Sequence, residues 1–173
     1  MQVNILFFII FFSSGFILLF LSIIFKLFDK KMIDKCKNKV KGKVVKFTLW
    51  SNNGVSFPIV EYFVDGIKYT QRLKYGWIIT KSSSFKKPEM KIVNNVTDKN
   101  LKLEKNSHFS INPLKKQFPI GTELDVYYDP GKPKRSFVMR YVNNPCIVVF
   151  LAVSIVFVLV SFIGLFLMPN NFI

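Results

Sequence analysis

The feature that most constrains this chain is the confinement of its charged side chains to the middle of the sequence. Every Lys, Arg, Asp and Glu lies between Lys26 and Arg140, so residues 1–25 and 141–173 carry no charged side chain. The formal net charge of +15 therefore belongs to the middle segment. A soluble protein of 173 residues is too small to enclose two helices that are apolar on every face.

Each uncharged end contains an apolar run long enough to cross a bilayer. Residues 5–25 and residues 146–168 are rich in Ile, Leu, Val and Phe, and about 20 apolar residues suffice for a helix across ~30 Å of hydrocarbon. We predict transmembrane helices at 1–25 and 145–168. A cleaved signal peptide is the alternative for the first, but its core is too long and no basic residue precedes it.

The distribution of lysine and arginine predicts the orientation of both spans. Many lysines follow the first span and four basic residues precede the second, whereas the outer tails carry no charged side chain. Because basic residues near spans stay on the cytoplasmic side, we expect an integral protein of the plasma (inner) membrane. Its middle domain would be cytoplasmic and both of its termini outside.

Cysteine and histidine are too few for a metal centre or a disulfide framework. The chain has two cysteines, Cys36 and Cys146, and one histidine, His108. A zinc site needs three or four such ligands, and a disulfide scaffold needs several closely spaced cysteines. We therefore expect no metal and no cofactor, and we interpret His108 as an exposed loop residue.

The middle of the chain predicts a small, mainly β domain at 40–140, a barrel or sandwich with mostly antiparallel strands. A basic juxtamembrane linker at 26–39 precedes it. Runs rich in Val, Ile, Tyr and Phe predict strands at 40–50, 57–64, 67–73, 77–80, 122–128 and 136–139. Asp65-Gly66 predicts a tight hairpin, because a two-residue turn needs positive φ at both positions. Residues 81–118 form a polar insert, with a strand or short helix predicted near 100–105.

Three segments of the middle domain resemble a family. They are residues 42–45 (GKVV), residues 57–69 (FPIVEYFVDGIKY), and residues 119–133, which include VYYDPGKP. Their order between two spans resembles a mainly bacterial, two-span domain-of-unknown-function family. That family has a G-x-V strand, a Y-P-x-V-x-F…D-G hairpin and a V-x-Y-D-P-x-x-P motif. Phe57 stands where the family more commonly has Tyr, and the insert at 81–118 is a departure.

The resemblance implies a β domain on two helices and no established chemistry. The motif residues are then structural ones, in turns and strand ends: Gly42, Pro58, Gly66, Gly121, Tyr128, Asp129, Pro130 and Pro133. Asp129 can cap its own turn, and Pro130 and Pro133 stiffen it.

The acidic residues near this motif do not predict catalysis. Glu123 and Asp125 are two residues apart in a predicted strand, so their side chains lie on the same face. We expect this face to be solvated. A carboxylate pair for acid–base chemistry usually has one buried member. We therefore predict that the chain is not an enzyme.

The basic charge predicts contact with an anionic partner. Lysines next to a bilayer gain about 1 kcal/mol each from anionic head groups. The candidate lipid contacts are Lys30, Lys31, Lys35, Lys37, Lys86, Lys87, Lys115 and Lys116. Nucleic acid is disfavoured because no recognition motif is present. A positive-inside topology signal without any ligand is the commonest explanation of such charge.

The sequence favours a membrane-anchored binding or scaffolding module without catalytic activity. Its partners would be the bilayer, a protein met through the β domain or the spans, and anionic lipid. A membrane-resident immunity protein that neutralises a toxin is the alternative, because a small, basic, two-span chain suits that role. A membrane-bound enzyme is a third class, for which the sequence offers no catalytic residues.

Overall fold

A computed structural model describes residues 3–82, 90–105 and 112–167. The chain divides into two compact units, one made of Met1–Lys31 with Asn143–Ile173 and the other of Met32–Val142. The elements in chain order are α1 (Val3–Lys35), β1 (Asn38–Phe47), β2 (Pro58–Val64), β3 (Ile67–Arg72), β4 (Ile78–Ser82), β5 (Met90–Ile92), β6 (Leu101–Lys105), α2 (Pro113–Gln117), β7 (Glu123–Asp129), β8 (Lys132–Val138) and α3 (Cys146–Leu167).

The two long helices, α1 and α3, are apolar enough and long enough to cross a membrane. α1 has 33 residues and continues ten residues beyond the predicted end of the first span. The first part of the segment 26–39, predicted as a linker, is therefore helical up to Lys35. Residues 26–35 contain neither Gly nor Pro, so nothing in their backbone interrupts the helix.

Small residues let α1 and α3 approach each other closely. A Cβ added to Gly15 would lie 3.1 Å from Val158 Cγ2 and 3.2 Å from the carbonyl oxygen of Ser154. Ser22 Oγ donates a hydrogen bond of 3.1 Å to the carbonyl oxygen of Ile147. Small side chains at helix contacts are typical of packing in lipid, where close backbone approach supplies the attraction.

Aromatic contacts fill the rest of this helix pair. Phe11 meets Phe157 edge-on with ring centroids 5.6 Å apart, and Phe8 meets Phe162 at the same separation. Many other apolar side chains of both helices point outward, including Phe16 at 61% exposure and Val148 at 63%. The helix pair therefore has a packed side and a broad apolar outer surface.

The unit Met32–Val142 is a small, mostly antiparallel β domain with a nearly closed, barrel-like sheet. Five strands pair in the order β3-β2-β1-β7-β8. The edge strands β3 and β8 are linked by the side chain of Gln71, whose Nε2 donates to the carbonyl oxygen of Ser136. The sheet thereby curls until its two edges meet.

Val and Tyr side chains from alternate strand positions fill this curled sheet. Val44, Val60, Tyr62 and Val126 are each at most 1% exposed. The alternation is clearest in β2, where every second residue is buried, as the two-residue side-chain period of a strand requires. The predicted mainly β architecture is confirmed at this level.

The insert at 81–118 contains more regular structure than the sequence indicated. A three-stranded sheet has the order β4-β6-β5, with β4 and β6 parallel and β5 antiparallel to β6. Leu101 and Leu103 of β6 are buried in the core together with Leu114 of the short helix α2. The insert thus covers part of the core instead of forming a structureless loop. Residues 83–89 and 106–111, which include His108, lie outside the described residues.

The hairpin at Asp65-Gly66 is confirmed. Val64 pairs with Ile67, so Asp65 and Gly66 alone connect β2 to β3. Their φ angles are +51° and +77°, the left-handed values that a two-residue hairpin turn requires.

Candidate interaction surface

The motif residues that suggested a family occupy structural positions in the β domain. Gly42 lies at a close approach, because an added Cβ would lie 2.7 Å from Val60 Cγ1 and 2.8 Å from the carbonyl oxygen of Glu61. Gly121 has φ +93° and lies within a turn in which Thr122 N donates to the carbonyl oxygen of Pro119 at 3.0 Å. Pro58 is buried at the beginning of β2.

The remaining motif residues form the β7–β8 turn. Asp129 Oδ1 accepts a hydrogen bond of 2.9 Å from Gly131 N, so the carboxylate caps its own turn around Pro130. The strand after this turn starts at Lys132, four residues earlier than predicted. Pro133 is tolerated within β8 because β8 is an edge strand of the sheet. Tyr128 is partly buried against the core.

A buried hydroxyl network joins β2 to β8 beside this turn. Tyr62 Oη donates to the carbonyl oxygen of Pro133 at 2.7 Å and lies 2.8 Å from Ser136 Oγ. Gln71 Nε2 also reaches Ser136 Oγ, at 3.2 Å. The pKa of Tyr62 is raised, chiefly by burial, so its hydroxyl keeps the proton it donates. The network fixes the barrel closure.

Cys36 lies buried next to the same turn and is not poised for reaction. Its Sγ lies 3.4 Å from the carbonyl oxygen of Arg135. Burial raises the pKa of its thiol, and the charge of Asp129 raises it further. A protonated, buried thiol is a poor nucleophile.

The carboxylates weighed as catalytic candidates form ion pairs across the outer face of the sheet. Asp125 lies 2.8 Å from Lys39 Nζ and 2.6 Å from Lys41 Nζ, and Glu123 lies 3.7 Å from Lys43 Nζ. Hydrogen bonding to Lys39 lowers the pKa of Asp125, with Lys41 adding to the effect. Asp125 therefore stays ionised at neutral pH. Within the described ranges, no three His, Cys, Asp or Glu side chains gather into a group that could hold a metal ion.

The lysines predicted to contact lipid fall into separate groups. Lys30, Lys31 and Lys35 are exposed on the last turns of α1, with Lys37 exposed just after it. Lys115 and Lys116 are exposed on α2. Lys86 and Lys87 lie outside the described residues.

Arg140, counted in the sequence as a juxtamembrane charge, has its guanidinium inside the β domain. All three of its nitrogens are buried, and none donates a hydrogen bond to a described residue. The guanidinium Cζ lies 4.6 Å from the ring centroid of Tyr75. Burial raises the pKa of Tyr75, and the Arg140 charge partly opposes this rise. This arginine is engaged by an aromatic face and is not free for a head group.

Two exposed apolar residues lie in the loop between β1 and β2. Leu49 is 98% exposed and Trp50 is 90% exposed. Both had been predicted within a strand at 40–50, but β1 ends at Phe47. We call Leu49 and Trp50 the apolar tip. No sequence signal separates a Trp that ends a strand from one that projects beyond it, so this surface was missed.

Comparison of the chain with protein-family models, with curated proteins and with solved structures found no match. The resemblance to the two-span family described from the motifs stays a prediction.

Proposed function

We propose that this chain is a membrane-anchored binding module without catalytic activity. In this proposal α1 and α3 span the bilayer, and the β domain contacts a protein partner. Lysines at the end of α1 contact anionic head groups. The observation that carries the proposal is the pairing of two outward-facing apolar helices with an ordered domain that presents Leu49 and Trp50 to solvent.

The outer surface of the helices supports insertion in a bilayer. Ile10, Ile17 and Leu159 are between 52% and 58% exposed, although each belongs to a helix with no charged residue nearby. Burying such a side chain away from water stabilises a protein by about 1.5–3 kcal/mol. Many such side chains in two helices favour hydrocarbon over water by a wide margin.

The polar groups of the helices are consistent with the same environment. Ser14 Oγ donates to the carbonyl oxygen of Ile10 at 2.7 Å, and Ser161 Oγ donates to the carbonyl oxygen of Val158 at 2.6 Å. Each hydroxyl is thus satisfied within its own helix, as hydrocarbon requires.

The charge at the end of α1 supports a cytoplasmic β domain in the plasma membrane. Lys30, Lys31 and Lys35 are exposed there, and lysines next to a span favour the cytoplasmic side. Anionic lipid of that leaflet would attract them at about 1 kcal/mol each.

The contacts of the polar residues that could serve in catalysis support a non-catalytic role. Asp125 is held by two lysines, Asp129 caps its own turn, and the thiol of Cys36 is buried. Each of these groups has a structural explanation. The apolar tip has none within the β domain, and exposed Trp side chains are enriched where proteins bind each other.

Cysteine labelling tests the membrane arrangement. Single cysteines at Ser51 and at Asn171 are placed in a Cys36→Ala, Cys146→Ala background, and intact cells are treated with an impermeant maleimide. We expect the protein to stay in membranes after alkaline extraction, with labelling at Asn171 only. Labelling at Ser51 alone would invert the orientation, and release by alkaline extraction would refute the anchor.

A further inference from the structure

Hydrogen bonds hold the chain in place on both sides of the apolar tip. Thr48 N donates to the carbonyl oxygen of Phe57 at 2.9 Å, and Phe57 N donates back to Thr48 Oγ1 at 3.0 Å. Thr48 Oγ1 also donates to the carbonyl oxygen of Trp50 at 2.9 Å. Phe57 itself is 8% exposed, so this end of the loop is fastened to the core.

A second contact fastens the other side of the loop. Asn52 and Val55 exchange two backbone hydrogen bonds of 3.0 Å around Asn53 and Gly54, whose φ angles of +51° and +82° make a tight turn. Val55 is 0% exposed, so its side chain packs in the core and fixes the position of this turn. Leu49 and Trp50 therefore project from an ordered loop, and their exposure does not come from a detached segment.

Lysines lie beside the residues that flank the apolar tip. Lys46 is exposed three residues before Leu49, and no acidic residue occurs between Lys43 and Glu61. Lys115 Nζ of α2 lies 5.8 Å from the ring centroid of Phe47. Lys105 Nζ lies 3.9 Å from the position that a Cβ would take on Gly54.

We propose that the apolar tip, Leu49 and Trp50 with Lys46, Lys105 and Lys115 around it, docks into an apolar cleft with an acidic rim on a second protein. This inference rests on the proposed function and names the surface that performs the binding. Trp is among the residues that contribute most to protein–protein contacts when they are buried in a pocket of the partner. Complementary charge at the rim adds specificity and speeds encounter.

A second copy of this chain does not fit the apolar tip. The net charge of +15 makes two copies repel each other, and the lysines around the tip would face further lysines. A partner with acidic residues removes this repulsion and gains complementarity.

A lipid surface is the other anionic partner that these lysines could meet, and the mass of a crosslinked adduct distinguishes it from a protein.

Photocrosslinking of the full chain in its own cells tests the proposal. Trp50, Leu49 or Phe63 is replaced by p-benzoylphenylalanine, and Phe63, 55% exposed on β2, serves as the matched apolar control. We expect a discrete protein adduct from Trp50 and Leu49 and none from Phe63. The double substitution Lys46→Gln, Lys115→Gln removes two positive charges beside the tip and should lower the adduct yield at least fivefold. The double substitution Lys132→Gln, Lys134→Gln removes two positive charges on β8 and should leave the yield unchanged.

Several outcomes would overturn the proposal. They are an adduct of twice the chain mass, an adduct of lipid mass, a yield insensitive to Lys46 and Lys115, or no adduct at the tip in a variant that reaches the membrane at the normal level. An adduct at Phe63 alone would remove the tip but keep the proposed binding function. Loss of membrane attachment would instead remove the proposed function itself.

Discussion

Removing one hydroxyl should loosen the barrel measurably. Tyr62→Phe keeps the ring, which is 1% exposed and stacks on Tyr69 with centroids 5.7 Å apart. It deletes the donor to Pro133 O at 2.7 Å and the contact to Ser136 Oγ at 2.8 Å. A buried partner left unpaired costs about 1–3 kcal/mol. Because Ser136 retains its bond to Gln71, we expect a loss near ~2 kcal/mol.

The matched control is Tyr69→Phe. Tyr69 belongs to the same stacked pair but lies half-buried, and its hydroxyl is not part of the closing network. Thermal unfolding of the full chain in detergent, followed by circular dichroism of the β domain, should show a drop of about 8 °C for Tyr62→Phe. The expected drop assumes that each kcal/mol of lost stability lowers the melting temperature by ~4 °C in a domain of this size. Equal melting temperatures for the two variants would show that the hydroxyl network does not stabilise the closure.

Three further substitutions test other parts of the β domain. Gly66→Val places a β-branched residue at φ +77° and should cost at least ~1 kcal/mol; Gly131→Ala, at a turn without positive φ, is the control, and equal melting temperatures would argue against the tight turn. Lys39 holds the pKa of Asp125 below its usual range, so its ion pair should stabilise the fold above pH ~4 and lose that effect as pH falls through the lowered pKa. The difference in melting temperature between the parent and Asp125→Asn should therefore shrink on acidification from pH 6 to pH 3, and a constant difference would contradict the ion pair. Arg140→Met removes a buried guanidinium that donates no hydrogen bond to a described residue and should leave thermal stability equal or higher, whereas a large drop would reveal a partner for this charge.

The parts of the fold that the sequence predicted are those set by local pattern. Uninterrupted apolar runs gave the two long helices, because no charge breaks them. The Asp65-Gly66 pair predicted a hairpin, because these residues adopt the positive φ angles that a two-residue turn requires. The run of β-branched and aromatic residues at 57–64 indicated a strand, and β2 spans Pro58–Val64. Each of these signals lies within a few neighbouring residues.

The parts that the sequence did not predict depend on contacts between distant residues. β4 begins just before the insert and pairs in parallel with β6 in the middle of the insert, and no local pattern pairs them. The burial of Arg140 depends on Tyr75, 65 positions earlier. Gly15 and Ser22 can be recognised as helix contacts only once Ser154 and Ile147 are known to lie opposite.

The separation of the residues that hold the β domain together from those at its apolar tip has a consequence for mutation. The closure depends on Tyr62, Gln71 and Ser136, whereas Trp50 contributes to the loop only through its backbone carbonyl. Its side chain is 90% exposed. Surface substitutions of this kind usually change stability by no more than ~0.5 kcal/mol. We therefore expect substitutions of Trp50 to leave the fold intact, so that a loss of the proposed binding could be measured without a loss of stability.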